Sequence, residues 1–80
     1  MTSIEQLKAL VASRGWRLYT TVEPVRSIGW QAIRLSLRDL RGRELITDWE
    51  MISGTSDPAC AIARIATVLI RAIEGRGAVR

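Results

Sequence analysis

The sequence predicts an α+β fold in the order α-β-β-β-α, a three-stranded antiparallel meander with both helices packed on one face. Three observations carry this. Asp57–Glu74 reads as one long amphipathic helix, two central stretches alternate with period two and can be registered on each other, and a short capped helix precedes a strand at the N-terminal end. The 80 residues form a single domain, with 48% hydrophobic and 25% charged residues, both globular values.

Near the N-terminus, Thr2 with Glu5, or Ser3 with Gln6, forms a capping box that opens the first helix. Ile4, Leu7, Leu10 and Val11 share one face at helical spacing. Gly15 is placed to end the helix in the left-handed conformation, with Trp16 folding back on the last turn. Trp16–Val22 then alternates as a strand, with Trp16, Leu18, Thr20 and Val22 toward the core and Arg17, Tyr19 and Thr21 on the other side. Glu23-Pro24 is expected to end that strand, because proline donates no ladder hydrogen bond.

Trp30–Asp39 directs Ile33, Leu35 and Leu37 inward and Trp30, Arg34, Ser36 and Arg38 outward. Glu44–Ile52 is expected to direct Leu45, Thr47, Trp49 and Met51 inward. A three-residue turn, Leu40-Arg41-Gly42, with Gly42 left-handed, sets Asp39 opposite Arg43, Arg38 opposite Glu44 and Arg34 opposite Asp48. On the apolar face, Leu37 then meets Leu45 and Ile33 meets Trp49.

In the long helix, Asp57 is the N-cap and Pro58 takes the first helical position. Twelve of the fifteen residues Ala59–Ile73 are apolar, and Arg64, Thr67 and Arg71 form a narrow polar stripe. Ile62, Ile65, Ala66, Leu69 and Ile73 make the central apolar face. The first helix covers one flank only, so Val68 or Ile70 is left wet; a homodimer through the flank of helix 57–74 is the usual remedy, and tolerance of a single exposed aliphatic is the alternative. Residues 75–80 read as a flexible basic tail.

Chemistry is scarce. The chain has no histidine, which removes the commonest general base and metal ligand. Cys60 lies in the first turn of the long helix without a base or orienting partner, so it reads as a small apolar residue. Glu44, Asp48 and Glu50 alternate along one strand, and ion pairing across the hairpin explains them better than metal binding or acid–base work. No enzyme activity, metal or cofactor is expected. With no apolar run of the ~18 residues that span a bilayer, no secretory leader and one cysteine, the chain reads as cytoplasmic.

The candidate site is the outer sheet face. Arg17, Tyr19, Trp30, Arg34 and Arg38 project from it, with Arg41 and Arg43 at the hairpin tip. Eleven of the twelve basic residues are arginine, and the net charge is +4. A GC-rich coding sequence explains the bias as well as selection for bidentate contacts does. Arginines interleaved with aromatics anchor protein interfaces and also hold phosphates and stack bases. The readings of this face are a solvated surface whose charges neutralise across strands, a site for a protein partner, acidic or nucleic-acid-associated, and a site for nucleic acid.

The element order resembles the double-stranded-RNA-binding domain over almost the whole chain. That family opens its last helix with lysines, where this chain has Ser56-Asp57-Pro58-Ala59-Cys60, and it carries a histidine in the first strand loop, here Glu23–Ile28. The resemblance therefore implies topology and no RNA-binding residues. Ser56–Ile62 also resembles the Ser/Thr-x-Pro-x-x-Ala-Ile opening of helices in small accessory proteins of phages and mobile elements. That likeness implies a host-directed inhibitor of the anti-CRISPR type, working by occupying a partner's surface.

Overall fold

The central strand explains the architecture. In Trp30–Arg38 (β2), Ile33, Leu35 and Leu37 alternate onto one face and are fully enclosed. The computed structural model describes the backbone of residues 2–78 and the side chains of residues 2–75. β2 lies between Arg17–Val25 (β1) and Glu44–Ser53 (β3), antiparallel to both, giving the sheet order β1-β2-β3. Ser3–Ser13 (α1) and Pro58–Ala78 (α2) pack on one side of this sheet. The core joins Leu7 and Val11 of α1 to the β2 aliphatics, Ile52, and Ala61, Ile65, Ala66, Leu69 and Ile73 of α2. This is the α-β-β-β-α order expected from the sequence.

Local chemistry sets the helix ends. Thr2 Oγ1 accepts from the Glu5 N–H at 3.3 Å, the first half of the expected capping box, while the Glu5 carboxylate takes the Thr2 hydroxyl at 3.1 Å in place of the main-chain N–H. At the other end the Gly15 N–H bonds to the Ala12 carbonyl, and the Trp16 N–H bonds to the Val11 carbonyl. This paired closure requires the left-handed backbone that Gly15 adopts, with φ +72°. Asp57 Oδ1 accepts from the Ala59 N–H at 3.0 Å and starts α2.

Two boundaries and the burial of one strand differ from expectation. β1 continues through Glu23-Pro24 to Val25, because it is an edge strand and a proline there costs no ladder bond on its free side. Thr20 and Val22 stand opposite Leu35 and Ile33 on the helix side, yet both are exposed, Val22 at 44%, because α1 reaches only part of β1. α2 continues through Gly75 and Gly77 to Ala78, so the expected tail is helical over 75–78. Val79 and Arg80 lie outside the described residues.

The largest correction concerns β3. The hairpin turn is as expected: Gly42 has φ +83°, the Asp39 N–H bonds to the Arg43 carbonyl at 3.0 Å, and Arg38 faces Glu44. Leu37 then faces Ile46, so Leu45 is an extra, bulged residue. Past the bulge, Asp48 faces Leu35, Trp49 faces Arg34, and Glu50 faces Ile33. The expected pairs Leu37–Leu45, Ile33–Trp49 and Arg34–Asp48 do not form. Ile46, Asp48, Glu50 and Ile52 turn toward the helices, and Thr47, Trp49 and Met51 turn away. Packing explains the exchange, because Ile52 enters the core at 8% exposure and Glu50 reaches Arg64 of α2.

The end of the sheet opposite this hairpin is pinned by its loops. Gln31 Nε2 donates to the carbonyls of Ser53 and Ser56 at 3.1 and 2.9 Å, and the Gly54 N–H bonds to the Gly29 carbonyl at 2.9 Å. A Cβ on residue 54 would lie 2.7 Å from that carbonyl oxygen, so only glycine fits there.

Two stability measurements test this arrangement. Gly42→Val forces a β-branched residue into positive φ and should lower unfolding free energy by about 1–2 kcal/mol or more; an unchanged denaturant midpoint would refute the turn. Ile52→Ala should cost about 2–5 kcal/mol, whereas Trp49→Ala should cost under about 1 kcal/mol. The opposite ranking would restore the unbulged register.

Candidate functional site on the outer sheet face

The outer face is built from alternate residues of all three strands. β1 supplies Arg17, Tyr19, Thr21 and Glu23, β2 supplies Trp30, Ala32, Arg34, Ser36 and Arg38, and β3 supplies Thr47, Trp49 and Met51. Small side chains over the central strand leave a trough of about 310 Å³ floored by Ala32 and Ser36 and flanked by Tyr19 and Trp49. Tyr19, Trp30, Trp49 and Met51 are 39–58% exposed, a concentration of large apolar side chains on one surface.

Of the seven residues singled out from sequence, the trough gathers Tyr19, Arg34 and Arg38. Arg38 stacks on Tyr19, its Cζ 5.0 Å from the ring centroid. Arg34 is exposed, stands between Thr21 and Trp49 in register, and makes no ion pair within 4.0 Å among the described residues. Arg17 is exposed on the same face beside Arg38, and Trp30 lies at the far end of β2 beside Val25. Arg41 and Arg43 belong elsewhere. They share a depression at the hairpin tip with Arg14, Gly15, Trp16, Asp39 and Leu40. Arg43 Nε donates to Asp39 Oδ2 at 3.3 Å, so its charge is already partnered.

Sequence reasoning missed Trp49 and Met51, which the bulge brings to this face. The adjacent aliphatics Leu45-Ile46 were the available signal, since two apolar residues in succession break a period of two and mark the extra residue.

The three alternating carboxylates separate. Glu44 accepts from Ser36 Oγ at 2.8 Å, and Asp48 accepts from its neighbour's N–H, that of Trp49, at 2.9 Å. Glu50 receives Arg64 in a two-pronged pair through Nε and Nη2. Among the described residues no group of three or more potential metal ligands gathers in one place. Cys60 is exposed in the first turn of α2. Val68 is 51% exposed on the α2 flank remote from α1. A second hollow, largely apolar, lies on the helix side among Ile4, Lys8, Thr20, Ala59, Ile62 and Ala63. Among the described residues no helix is long and apolar enough to cross a membrane.

Compared with known proteins, the chain matches no family model, no curated protein and no solved structure.

Two carboxyls are held below their ordinary values. The Arg64 guanidinium bonded to Glu50 lowers it from 4.5, and for Asp39 the main-chain N–H of Arg43 is the largest cause, lowering it from 3.8. Folded-state values below the unfolded ones mean that the linked stability is fully present above about pH 4.5 and is lost as pH falls through the lowered folded values. Glu50→Gln should therefore lower the melting temperature at neutral pH and shrink its fall in acid. An acid limb identical to that of the original protein would remove the Glu50–Arg64 pair from the account.

Proposed function

We propose that this chain is a small non-enzymatic binding module that docks its outer sheet face onto another protein. One observation carries the reading: Tyr19, Trp49 and Met51 stand exposed beside Arg34, a cation with no ion-pair partner among the described residues. Aromatics, methionine and arginine are the residues enriched at protein interfaces, and a desolvated aromatic–arginine cluster is where binding energy concentrates. Arg34 favours a partner that presents carboxylates. The likeness of Ser56–Ile62 to small accessory proteins of phages and mobile elements supports an inhibitory outcome, in which the bound partner's surface is occupied.

A nucleic-acid reading of the same face rests on the net charge of +4 and the interleaving of arginines with aromatics. Glu23 and Glu44 line the trough as well, and carboxylates beside a phosphate track oppose binding. The protein reading accommodates them.

The test is crosslinked capture from host lysate using the original chain and two variants, Arg34→Ala and Trp49→Ala. One saturably bound protein should be retained by the original chain and weakened in each variant, with losses of about 2 kcal/mol or more. Capture indifferent to both variants would refute the reading. Binding to oligothymidylate or RNA that falls steeply with salt and depends on Arg34 would replace it with the nucleic-acid reading.

A further inference from the structure

We propose that a second copy of this chain pairs on the free edge of β3, forming a two-fold dimer in which the sheets join and the exposed α2 flanks meet. This goes beyond the outer-face reading and rests on the β3 edge and the α2 flank, with Trp49 and Met51 bordering both surfaces.

The two sheet edges are unlike. β1 carries Glu23-Pro24 within its span, and a proline blunts an edge against further pairing. β3, Glu44–Ser53, has no proline, glycine or lysine and ends the sheet unpaired; its edge protection is limited to the bulge at Leu45 and the helix-side carboxylates of Asp48 and Glu50, the latter already neutralised by Arg64. Alternation from the Asp39–Arg43 hydrogen bond directs the main chain of Leu35 and Ile33 to Asp48 and Glu50. The N–H and C=O groups of Thr47, Trp49 and Met51 therefore face the free side. The Trp49 N–H bears this out, since it bonds to the Asp48 carboxylate and not to β2.

Apolar side chains lie along the same side of both layers. Trp49 and Met51 stand on the outer layer at this edge. On the helical layer, Arg64 reaches Glu50 of β3 while Thr67 contacts Ser3 of α1, which places Val68 on the β3 flank, away from α1. Val68 is half exposed there, between Arg64 and Arg71 on the helix surface.

The residue pattern favours self-pairing. In an antiparallel pairing centred on Trp49, Ile46 of one copy faces Ile52 of the other, an apolar match, while Asp48 faces Glu50, an acid against an acid that the Arg64 holding Glu50 has to offset. Among the described residues the Nη1 of Arg64 has no hydrogen-bond partner. As the Trp49 N–H passes to a carbonyl of the other copy, Asp48 is released toward that guanidinium. The side concerned is roughly 30 Å long and about 20 Å high, on the order of 600 Å² per copy, which reaches the lower bound of about 1,200 Å² for stable interfaces.

Sedimentation of the full chain from about 1 µM to on the order of 100 µM reads the association directly. The mass should rise from monomer to dimer. Val68→Glu, on an exposed helix site, and Met51→Pro, where the N–H faces the free edge, should each raise the dissociation constant about tenfold or more while retaining the monomer's circular dichroism. Val68 lies on the helix side, so its substitution leaves the outer-face binding reading intact. Hydrogen exchange at the Trp49 and Met51 amides should slow as concentration rises. A monomer throughout the range, a dimer unaffected by Val68→Glu, or edge amides that exchange equally fast at both ends of the range would overturn the proposal.

Discussion

In a structure whose side chains alternate every two residues, one additional residue exchanges the faces of everything after it, and in β3 that residue is Leu45. Its consequences reach both layers. Ile46 and Ile52 go to the helices, Glu50 meets Arg64 across the layer, and Trp49 and Met51 go to the outer surface. Without the bulge, a tryptophan would have to fit under α2, and two isoleucines would lie in water. The outer face owes two of its four large apolar side chains to that single insertion.

The rest of the fold holds this arrangement in place from the ends. At the hairpin, Asp39 accepts the N–H groups of Arg41 and Arg43 at 2.9 and 3.0 Å, and Gly42 takes the left-handed backbone that the turn needs. At the opposite end, Gln31 ties the end of β3 to the segment entering α2, while Gly54 packs its backbone on Gly29. Between these anchors β2 contributes three fully enclosed aliphatics to the helix side, and small or polar side chains to the other. One side of the sheet is thereby committed to stability. The other side is free to carry arginines and rings.

Much of this was legible in the sequence. The Thr2 capping box, the Gly15 helix end, the Gly42 turn, the Asp57 cap and the inward set Ile33, Leu35 and Leu37 all follow from local chemistry acting over three to five residues. Arg17, Tyr19, Trp30, Arg34 and Arg38 are on the outer face for the same reason, because strand alternation in β1 and β2 is unbroken. The failures are of two kinds. Pro24 marks a stop by local chemistry alone, whereas the edge position of β1 that tolerates it is a property of the sheet. The face of Trp49 was misread because the bulge depends on how Ile52 and Glu50 meet α2. Gly75 and Gly77 were read as a break, although α2 runs on through them. The first two are decided by sheet position and tertiary contact, which local pattern does not encode, and the third shows that two glycines do not by themselves end a helix.

The exchange of faces at Leu45 is also what the functional reading depends on, since it sets Trp49 beside Arg34. Cross-strand proton contacts report it without altering the chain. Arg34 and Trp49 face each other as a pair that does not exchange main-chain hydrogen bonds, the geometry in which opposed α-protons approach most closely. A two-dimensional nuclear Overhauser spectrum should show a strong contact between the α-protons of Arg34 and Trp49. A strong contact between Arg34 and Asp48 in its place would mean an unbulged strand, with Trp49 in the core, and would contradict the account.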